Sequence, residues 1–172
     1  MAGRESKKGS GRHARVERLS LFGLKIRMGP PSLFVYADHF LQAGKAMQPL
    51  ESAPQFPLVK AYLVAHAVEL ALKAFLSLKG ISLEELAGGA YGHDLENLIA
   101  VAERQGLQEI VVLTDRQRLE IVRTSAYYQE KVLEYPSLIE AVRAYPGMPN
   151  VEVLLEAGEA LVASLREPCL RT

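Results

Sequence analysis

The chain has 172 residues, of which 49% are hydrophobic and 7% aromatic, and it contains no Trp. This length fits a single domain, and a core supplied mainly by Leu, Ala and Val favours helices over sheets. The formal net charge is zero at pH 7, yet residues 1–27 carry eight Lys and Arg against two Glu. The sequence therefore joins a basic N-terminal arm to an acidic body.

The single cysteine, Cys169, excludes an internal disulfide and a Cys-rich zinc site. One thiol is also typical of a protein that works in a reducing compartment. We find no apolar run that approaches the roughly 20 residues needed to span a membrane. We therefore expect a soluble, cytoplasmic protein that does not enter a membrane.

Residues 1–28 are predicted to form a flexible basic arm, and residues 29–172 a helical domain. Residues 1–18 are polar, basic and contain Gly and Ser, so they cannot bury enough apolar surface to offset the entropy of ordering. The arm either contacts nucleic acid or another negatively charged partner, or it is a solvated leader. Residues 19–28 are more apolar and are expected to form a short strand or a flap over the domain.

A first helix is predicted over residues 33–48. Gly29, Pro30 and Pro31 interrupt the chain before it, and Ser32 is the expected N-cap. The apolar stripe of this helix consists of Leu33, Tyr36, Ala37, Phe40 and Leu41. Three prolines then mark a connector that leads into the most apolar part of the chain.

The central helix is predicted over residues 56–79, where apolar side chains recur three or four positions apart. These side chains are Leu63, Ala67, Leu70, Ala71, Ala74, Phe75 and Leu78. Because the opposite face is also poor in charge, we expect burial around most of the helix. Gly80 then has the position of a C-terminal glycine.

Three polar residues, His66, Glu69 and Lys73, lie within this helix. His66 and Glu69 are one turn apart, so the carboxylate can orient the imidazole as a general base or hold a metal ion with it. Alternatively, Glu69 pairs with Lys73 at i,i+4 and His66 forms a hydrogen bond inside the bundle. We favour this structural alternative. A metal bound by His39, His66, Glu69 and His93 lacks any ligand-spacing motif, so we expect neither a metal nor a cofactor.

A third helix is predicted over residues 94–105 with Asp94 as its N-cap, where a negative charge suits the helix dipole. Its expected buried face is Leu95, Leu98, Ile99 and Ala102. Alternatively, His93 and Asp94 form a polar rim at one end of a central groove. We favour the capping role for Asp94.

Two capping boxes are also predicted. Ser82 and Glu85 fall in the segment ISLEEL, which is expected to form a helical turn. Thr114 and Gln117 begin a fourth helix over residues 115–133, and we interpret the preceding β-like run LQEIVVL as an apolar lead-in to this helix, without strand structure. The side chains expected to lie inside are Leu119, Val122, Ala126 and Val132.

A last helix is predicted over residues 151–166, with Asn150 as its N-cap and Pro168 as its end. The sequence thus gives five substantial helices with short connectors. The predicted fold is an all-α, up-and-down bundle of four or five helices.

Three stretches of this chain together resemble the HEPN superfamily (higher eukaryotes and prokaryotes nucleotide-binding). They are AHAVELALKAFLSLKG at residues 65–80, GHDLENLI at 92–99 and SAYYQEKVLEYP at 125–136. The resemblance covers about residues 33–165. It implies a helical bundle that dimerises and works in RNA cleavage, in bacterial toxin–antitoxin or antiviral systems, or beside a small nucleotidyltransferase.

The ribonuclease members of this superfamily carry an Arg followed, four to six residues later, by a His at the dimer cleft. In this chain Arg123 is followed by Tyr127 and Tyr128 at the places where that His is expected. Because tyrosine is a poor general base at neutral pH, the resemblance implies a non-nuclease member. Such a protein acts by association and binds nucleotide or RNA, with Arg123 and the tyrosines forming either a ligand surface or a dimer contact.

Two alternatives stay open at this point. One is a divergent ribonuclease that cleaves RNA at the dimer cleft with Arg123 and Tyr127 or Tyr128, or with His66 and Glu69. The other is a structural bundle whose basic tail docks on nucleic acid.

Overall fold

The structure is a computed structural model that describes residues 29–47, 58–88, 91–134 and 148–171. These ranges contain helices and connecting segments but no strand, which confirms the all-α prediction for them. The helices are α1 (Pro30–Ala46), α2 (Leu58–Leu78), α3 (Leu83–Ala87), α4 (Leu95–Arg104), α5 (Asp115–Gln129) and α6 (Val151–Leu170). The predicted arm (1–28) and the end of the stretch SAYYQEKVLEYP lie outside the described residues.

Helix α2 is the centre of the bundle and contacts α1, α3, α4, α5 and α6. Twelve of its residues are buried, and residues 71–76 are buried without a break. A run of six residues covers every direction around a helix with 3.6 residues per turn. The prediction that this helix is buried around most of its circumference is therefore confirmed.

Helix α2 also corrects the prediction that no apolar segment approaches the length needed to span a membrane. Among the described residues it is the one helix long and apolar enough to cross a membrane, with a mean hydropathy of 1.5 in its most apolar window. No uninterrupted apolar run marks this helix in the sequence, because Glu69 and Lys73 interrupt it without making it polar on average. Since 67% of that window is buried inside the bundle, α2 has the surroundings of a core helix.

Close packing of α1, α2 and α6 depends on two glycines. A Cβ atom on Gly44 would lie 2.9 Å from Val64 Cγ2, and one on Gly158 would lie 2.9 Å from Leu41 Cδ1. Both distances are shorter than ordinary van der Waals contact. Gly44 therefore lets α1 approach α2 closely, and a Cβ atom at Gly158 would require the end of the Leu41 side chain to move.

The beginning of α1 differs from the prediction. Gly29 is the N-cap, Pro30 and Pro31 occupy the first helical positions, and Ser32 lies within the helix. A proline tolerates this position because its missing N–H is one that the first turn does not use. The Leu33 N–H donates to the Gly29 carbonyl oxygen at 3.1 Å, so the helical hydrogen bonds begin at the glycine.

Helix α6 passes through Pro168 and ends at Leu170, so the predicted end before Pro168 was wrong. Proline removes one hydrogen bond of the helix, but the Arg171 N–H still donates to the Glu167 carbonyl oxygen. Cys169 is fully buried beyond the proline. Glu167 and Leu170 are exposed, so within this turn the packing of Cys169 is what favours the continuation.

The predicted end of α2 at Gly80 and the predicted side-chain caps of the helices that follow it are confirmed. Gly80 has a φ of +91°, and the Ile81 N–H donates to the Leu76 carbonyl oxygen across the end of α2, a Schellman arrangement. Side-chain caps are formed by Ser82 with Glu85, Asp94, Thr114 with Gln117, and Asn150. The run LQEIVVL contains a 3₁₀ turn, Leu107–Glu109, and no strand.

Helix α5 presents to the core a face that differs in part from the one predicted. Leu119 is 54% exposed and Ala126 is also exposed, whereas Val122 packs partly buried against the core and Val132, beyond the end of the helix, is buried. The buried residues are Glu120, Ile121, Thr124, Ser125 and Tyr128. The helix also ends at Gln129, four residues earlier than predicted, and is followed by Lys131 with a φ of +58°. Four of the five buried side chains carry polar atoms.

Candidate functional site

Glu69 lies in the middle of α2 and is 2% exposed, yet both of its carboxylate oxygens have partners. Lys73 Nζ donates to Oε1 at 2.6 Å, and the Tyr128 hydroxyl donates to Oε2 at 2.5 Å. Nδ1 of His66 and Nδ1 of His93 each lie 3.2 Å from the same Oε2. We call these five side chains the Glu69 cluster.

Three parts of the fold bring the cluster together. Helical spacing places His66 and Lys73 on the same side of α2 as Glu69, at i−3 and i+4. Tyr128 comes from the buried face of α5. His93 comes from the turn before α4.

The position of His93 follows from the cap beside it. Asp94 Oδ1 accepts hydrogen bonds from the Asn97 N–H at 2.9 Å and from the Ser125 hydroxyl at 3.2 Å. Ser125 Oγ in turn accepts from the Glu96 N–H at 3.1 Å. These bonds fasten the start of α4 to α5, and they fix the turn that carries His93.

Lys73 connects α2 to the same turn. Its ammonium group donates to the Gly92 carbonyl oxygen at 2.7 Å as well as to Glu69. The Lys73 side chain is 10% exposed, so its positive charge needs a nearby partner. The predicted pairing of Glu69 with Lys73, and the predicted hydrogen bonding of His66 inside the bundle, are both confirmed.

The charge state of Glu69 results from two opposed effects. Burial alone would raise its pKa, but hydrogen bonds from His66, Lys73 and Tyr128, together with the Lys73 charge, lower the pKa to about 2. Glu69 is therefore ionised at neutral pH. For Tyr128, burial and the adjacent Glu69 carboxylate raise the pKa well above its usual range, so the phenol keeps its proton.

These charge states assign the proton positions on the imidazoles. An ionised carboxylate can only accept hydrogen bonds, so His93 Nδ1 must carry a proton. Tyr128 donates its proton to Glu69, which leaves its oxygen to accept from His66 Nδ1 at 2.6 Å. In their neutral forms both imidazoles therefore hold their lone pair on Nε2, the nitrogen directed away from Glu69.

Exposure divides the cluster into an inner part and an outer part. The side chains of Glu69 and Lys73 are 3% and 10% exposed, whereas those of His66 and His93 are 22% and 48% exposed. A dissolved ligand can therefore reach the imidazoles but has little access to the ion pair beneath them.

Aromatic rings flank His66. The Tyr62 ring stacks on the imidazole with an interplanar angle of 5° and a centroid distance of 5.9 Å, and the Phe40 ring meets it edge-on at 4.5 Å. The Tyr128 ring packs edge-on to His93 at 5.4 Å. The accessible imidazoles are thus set among aromatic faces, which suit contact with another planar ring.

The cluster has the features of a site that orients histidines for binding or proton transfer. A carboxylate that accepts Nδ1–H from an imidazole fixes the orientation and the tautomer of the ring. No group of three His, Cys, Asp or Glu side chains in the described ranges has an arrangement that could hold a metal ion.

Arg123 and Tyr127, the remaining predicted site residues, have other surroundings. Arg123 is 44% exposed and its guanidinium lies 3.5 Å from Glu120 Oε2. The other Glu120 oxygen accepts from the Asn150 N–H at 2.7 Å, which ties α5 to the start of α6. Tyr127 is partly buried against the core. The eight predicted residues therefore divide into the Glu69 cluster, the Asp94 cap, and Arg123 with Tyr127 on α5.

The sequence prediction missed several residues that shape this region. Tyr62 lies four residues before His66, so helical spacing alone could have identified it as a neighbour. Phe40 reaches His66 from α1, and Glu120 reaches the start of α6, without any local sequence signal. Ser125 lies in the stretch SAYYQEKVLEYP, and its contacts with the start of α4 also have no local sequence signal.

Comparisons of this chain with models of protein families, with curated proteins and with solved structures found no match.

Proposed function

We propose that this chain is an HEPN-like helical domain that works by association and binds a nucleotide or RNA without cleaving RNA. It would act as a homodimer, or as the partner of a nucleotidyltransferase-type or defence-system protein in the cytoplasm. The proposal is supported by the three sequence stretches that resemble the superfamily, together with the helical fold.

One observation carries the binding part of the proposal. Nδ1 of His93 contacts Glu69, Nδ1 of His66 contacts both Glu69 and the Tyr128 hydroxyl, and both rings keep accessible surface among aromatic side chains. Oriented imidazoles can bond to a phosphate or to a base edge, and aromatic faces can stack on a base. A nucleotide combines these chemical features in one ligand.

The contacts of Arg123 support binding without cleavage. The ribonuclease members of the superfamily combine an arginine and a histidine at one cleft. Here the Arg123 guanidinium contacts Glu120, whereas the imidazoles of His66 and His93 contact Glu69. Within one protomer the arginine and the histidines therefore have separate partners.

A divergent ribonuclease is the second candidate, and the histidine pair favours it. Two imidazoles oriented by one carboxylate supply groups that could act as general base and general acid. Cleavage of RNA through its 2′-hydroxyl needs such groups and no metal. This candidate would use His66 and His93 in place of the Arg–His pair.

One experiment separates the two candidates. The full chain is purified without denaturation, its mass is measured under native conditions, and it is incubated with RNA in the presence of EDTA. We expect a dimer or a nucleotide adduct, and intact RNA. RNA cleavage that is lost in Arg123→Ala or His93→Asn, but kept in Arg116→Ala on the same helix, would contradict the proposal and support the ribonuclease.

A further inference from the structure

We infer that α5 and the turn that follows it form a lid over the Glu69 cluster, and that this lid opens while α1, α2, α4 and α6 stay folded. The lid consists of residues 115–134, and we call it the α5 lid. Opening would expose the ion pair of Glu69 and Lys73 to solvent. The lid would thus control access to these two charges, a role that does not depend on the proposed function.

Tyr128 is the part of the α5 lid that covers Glu69. Its hydroxyl donates to Glu69 Oε2 at 2.5 Å and lies 2.6 Å from His66 Nδ1, and its ring packs edge-on to His93. With the lid closed, the side chains of Glu69 and Lys73 are 3% and 10% exposed. The C-terminal half of α5 therefore helps to keep solvent away from the ion pair.

The α5 lid buries few apolar side chains for its length of 20 residues. These side chains are Ile121, Tyr128, Val132 and Leu133. Helix α6, which is also 20 residues long, buries nine residues that are all apolar or glycine, and each segment has two more that are partly buried. Because burial of apolar surface is the main force that holds an element in a fold, the lid is attached less strongly than α6.

Other contacts that the α5 lid would lose on opening are polar. The Ser125 hydroxyl donates to Asp94 and accepts from the Glu96 N–H at the start of α4. Glu120 Oε1 accepts from the Asn150 N–H at the start of α6. In the open state these groups can bond to water, so the loss of each bond costs much less than leaving a buried group unpaired.

Contacts within α5 and near its beginning can survive the opening. The Thr124 hydroxyl donates to the Glu120 carbonyl oxygen, and the Arg123 guanidinium contacts the Glu120 carboxylate, so both contacts move with the helix. Near the N-terminal end, Arg118 donates to the two carboxylate oxygens of Glu103 on α4 at 2.6 and 2.8 Å. This surface pair provides a fixed end about which the C-terminal half of the lid can move.

The turn after α5 holds a strained residue. Lys131 has a φ of +58°, and among the described residues it is the one non-glycine residue with a positive φ. Its neighbours Val132 and Leu133 are buried, so the closed lid keeps Lys131 in this conformation. Opening frees the turn and relieves the strain, which favours the open state.

The test is native-state hydrogen exchange of the full chain at low denaturant concentrations, followed by mass spectrometry. Peptides from α5 are compared with peptides from α4, from the centre of α2 and from α6. After correction for intrinsic exchange rates, we expect the amides of α5 to exchange at least roughly 100-fold faster than those at the centre of α2, with one common free energy of opening.

A change outside the lid shows whether the lid opens on its own. Leu41 is buried in α1 beside Gly158 of α6, so Leu41→Val removes packing from the rest of the bundle. This packing is present whether the lid is closed or open. We therefore expect about 5-fold faster exchange in α2 and α6, and unchanged exchange in α5.

Changes inside the lid should shift its opening in both directions. Lys131→Gly removes the strain at positive φ, so we expect about 3-fold slower exchange in α5. Lys131→Ala keeps a Cβ atom and is the matched control, which should leave this rate nearly unchanged. Tyr128→Phe removes the hydroxyl that donates to Glu69, so we expect roughly 10-fold faster exchange in α5.

Three results would overturn the inference. If α5 and α2 exchange with the same free energy and respond equally to Leu41→Val, the segment opens only with the whole bundle. If α4 exchanges together with α5, the opening unit is larger than the lid. If exchange in α5 is graded from one end and insensitive to Lys131→Gly, the helix merely frays. The measurement uses no ligand, so its result is independent of nucleotide or RNA binding.

Discussion

Lys73 Nζ lies 2.6 Å from Glu69 Oε1, one turn along the same helix, and both side chains are almost completely buried. Such a pair differs from an ion pair at the surface because neither charge can return to water when the other is removed. The same two residues also support the outer histidines. Lys73 holds the turn that carries His93, and Glu69 orients both imidazoles.

Replacing Lys73 by Met should lower the free energy of unfolding by about 3 kcal/mol, because Glu69 then remains buried without a counter-charge. Chemical denaturation monitored by circular dichroism measures the change. The matched control is Lys60→Met, because Lys60 also lies on α2 and also contacts a carboxylate, Glu152, at 2.6 Å. Glu152 is 68% exposed, so we expect the control to lose no more than about 1 kcal/mol.

A double-mutant cycle tests whether the two buried groups depend on each other. Glu69→Gln combined with Lys73→Met removes both charges, so we expect a smaller loss than the sum of the two single changes. An additive result would mean that the ion pair is not the source of the effect.

Glu69 should also make stability depend on pH in the acid range. Its pKa is about 2 in the folded protein against an ordinary value of 4.5. A lowered pKa stabilises the fold above pH 4.5, and this contribution is lost as the pH falls from about 4.5 towards 2. The two pKa values correspond to about 3 kcal/mol at 1.36 kcal/mol for each pH unit.

The measurement is the denaturation midpoint of the wild type and of Glu69→Gln between pH 7 and pH 3. We expect the two curves to converge as the pH falls. Glu85→Gln is the control, since Glu85 forms an exposed capping box whose carboxylate is not buried. Parallel curves for wild type and Glu69→Gln would contradict the assigned charge of Glu69.

Local hydrogen bonds explain which parts of the fold were predictable from sequence. The caps at Asp94, Thr114 and Asn150 bond to backbone groups two or three residues away, so the residue pattern alone identifies them. The Glu69–Lys73 pair is equally local, at i,i+4. These features were predicted, and the structure confirms them.

Distant contacts explain what the sequence could not predict. Tyr128 bonds to Glu69 from 59 positions away and His93 from 24 positions away, and no spacing rule connects them. The inward face of α5 was misassigned for a related reason. Its buried groups are polar, for example Thr124, whose hydroxyl donates to the Glu120 carbonyl oxygen at 2.7 Å. A pattern of apolar residues cannot locate a buried face whose polar groups are satisfied in this way.

Replacing Ser125 by Ala should lower the free energy of unfolding by about 1 to 2 kcal/mol, because the Ser125 hydroxyl connects the start of α4 to α5. Its removal in Ser125→Ala leaves the Glu96 N–H without its acceptor and deprives Asp94 of a donor. The control is Ser164→Ala on α6. We expect the larger loss of stability in Ser125→Ala. Equal denaturation midpoints for the two variants would contradict this role.

Gly80 should be intolerant of alanine for a conformational reason only. Its φ is +91°, and a Cβ atom there would meet no heavy atom within 4 Å, so crowding contributes nothing. We expect Gly80→Ala to lower the free energy of unfolding by about 1 kcal/mol. Gly88→Ala is the matched control, since Gly88 has extended backbone at the end of α3 and a Cβ atom there would lie at an ordinary contact distance of 3.9 Å from the Glu84 carbonyl oxygen. A comparable loss in both variants would contradict the conformational explanation.

Cys169 offers a test of how the bundle opens. Its side chain is fully buried in α6, and burial raises the pKa of its thiol to about 11, so little reactive thiolate exists at pH 8. We expect a thiol reagent such as DTNB to modify the native protein slowly and the denatured protein at once. The rate in native conditions then reports the population of open molecules.

Comparing this rate between wild type and Lys73→Met identifies the open state. If Cys169 becomes accessible only when the whole bundle unfolds, a loss of about 3 kcal/mol should raise the modification rate by roughly 100-fold. If the last turn of α6 opens by itself beyond Pro168, the rate should not change, since Lys73 lies in α2. We expect the large increase, because Cys169 packs into the same core as α2 and its reaction requires that core to open.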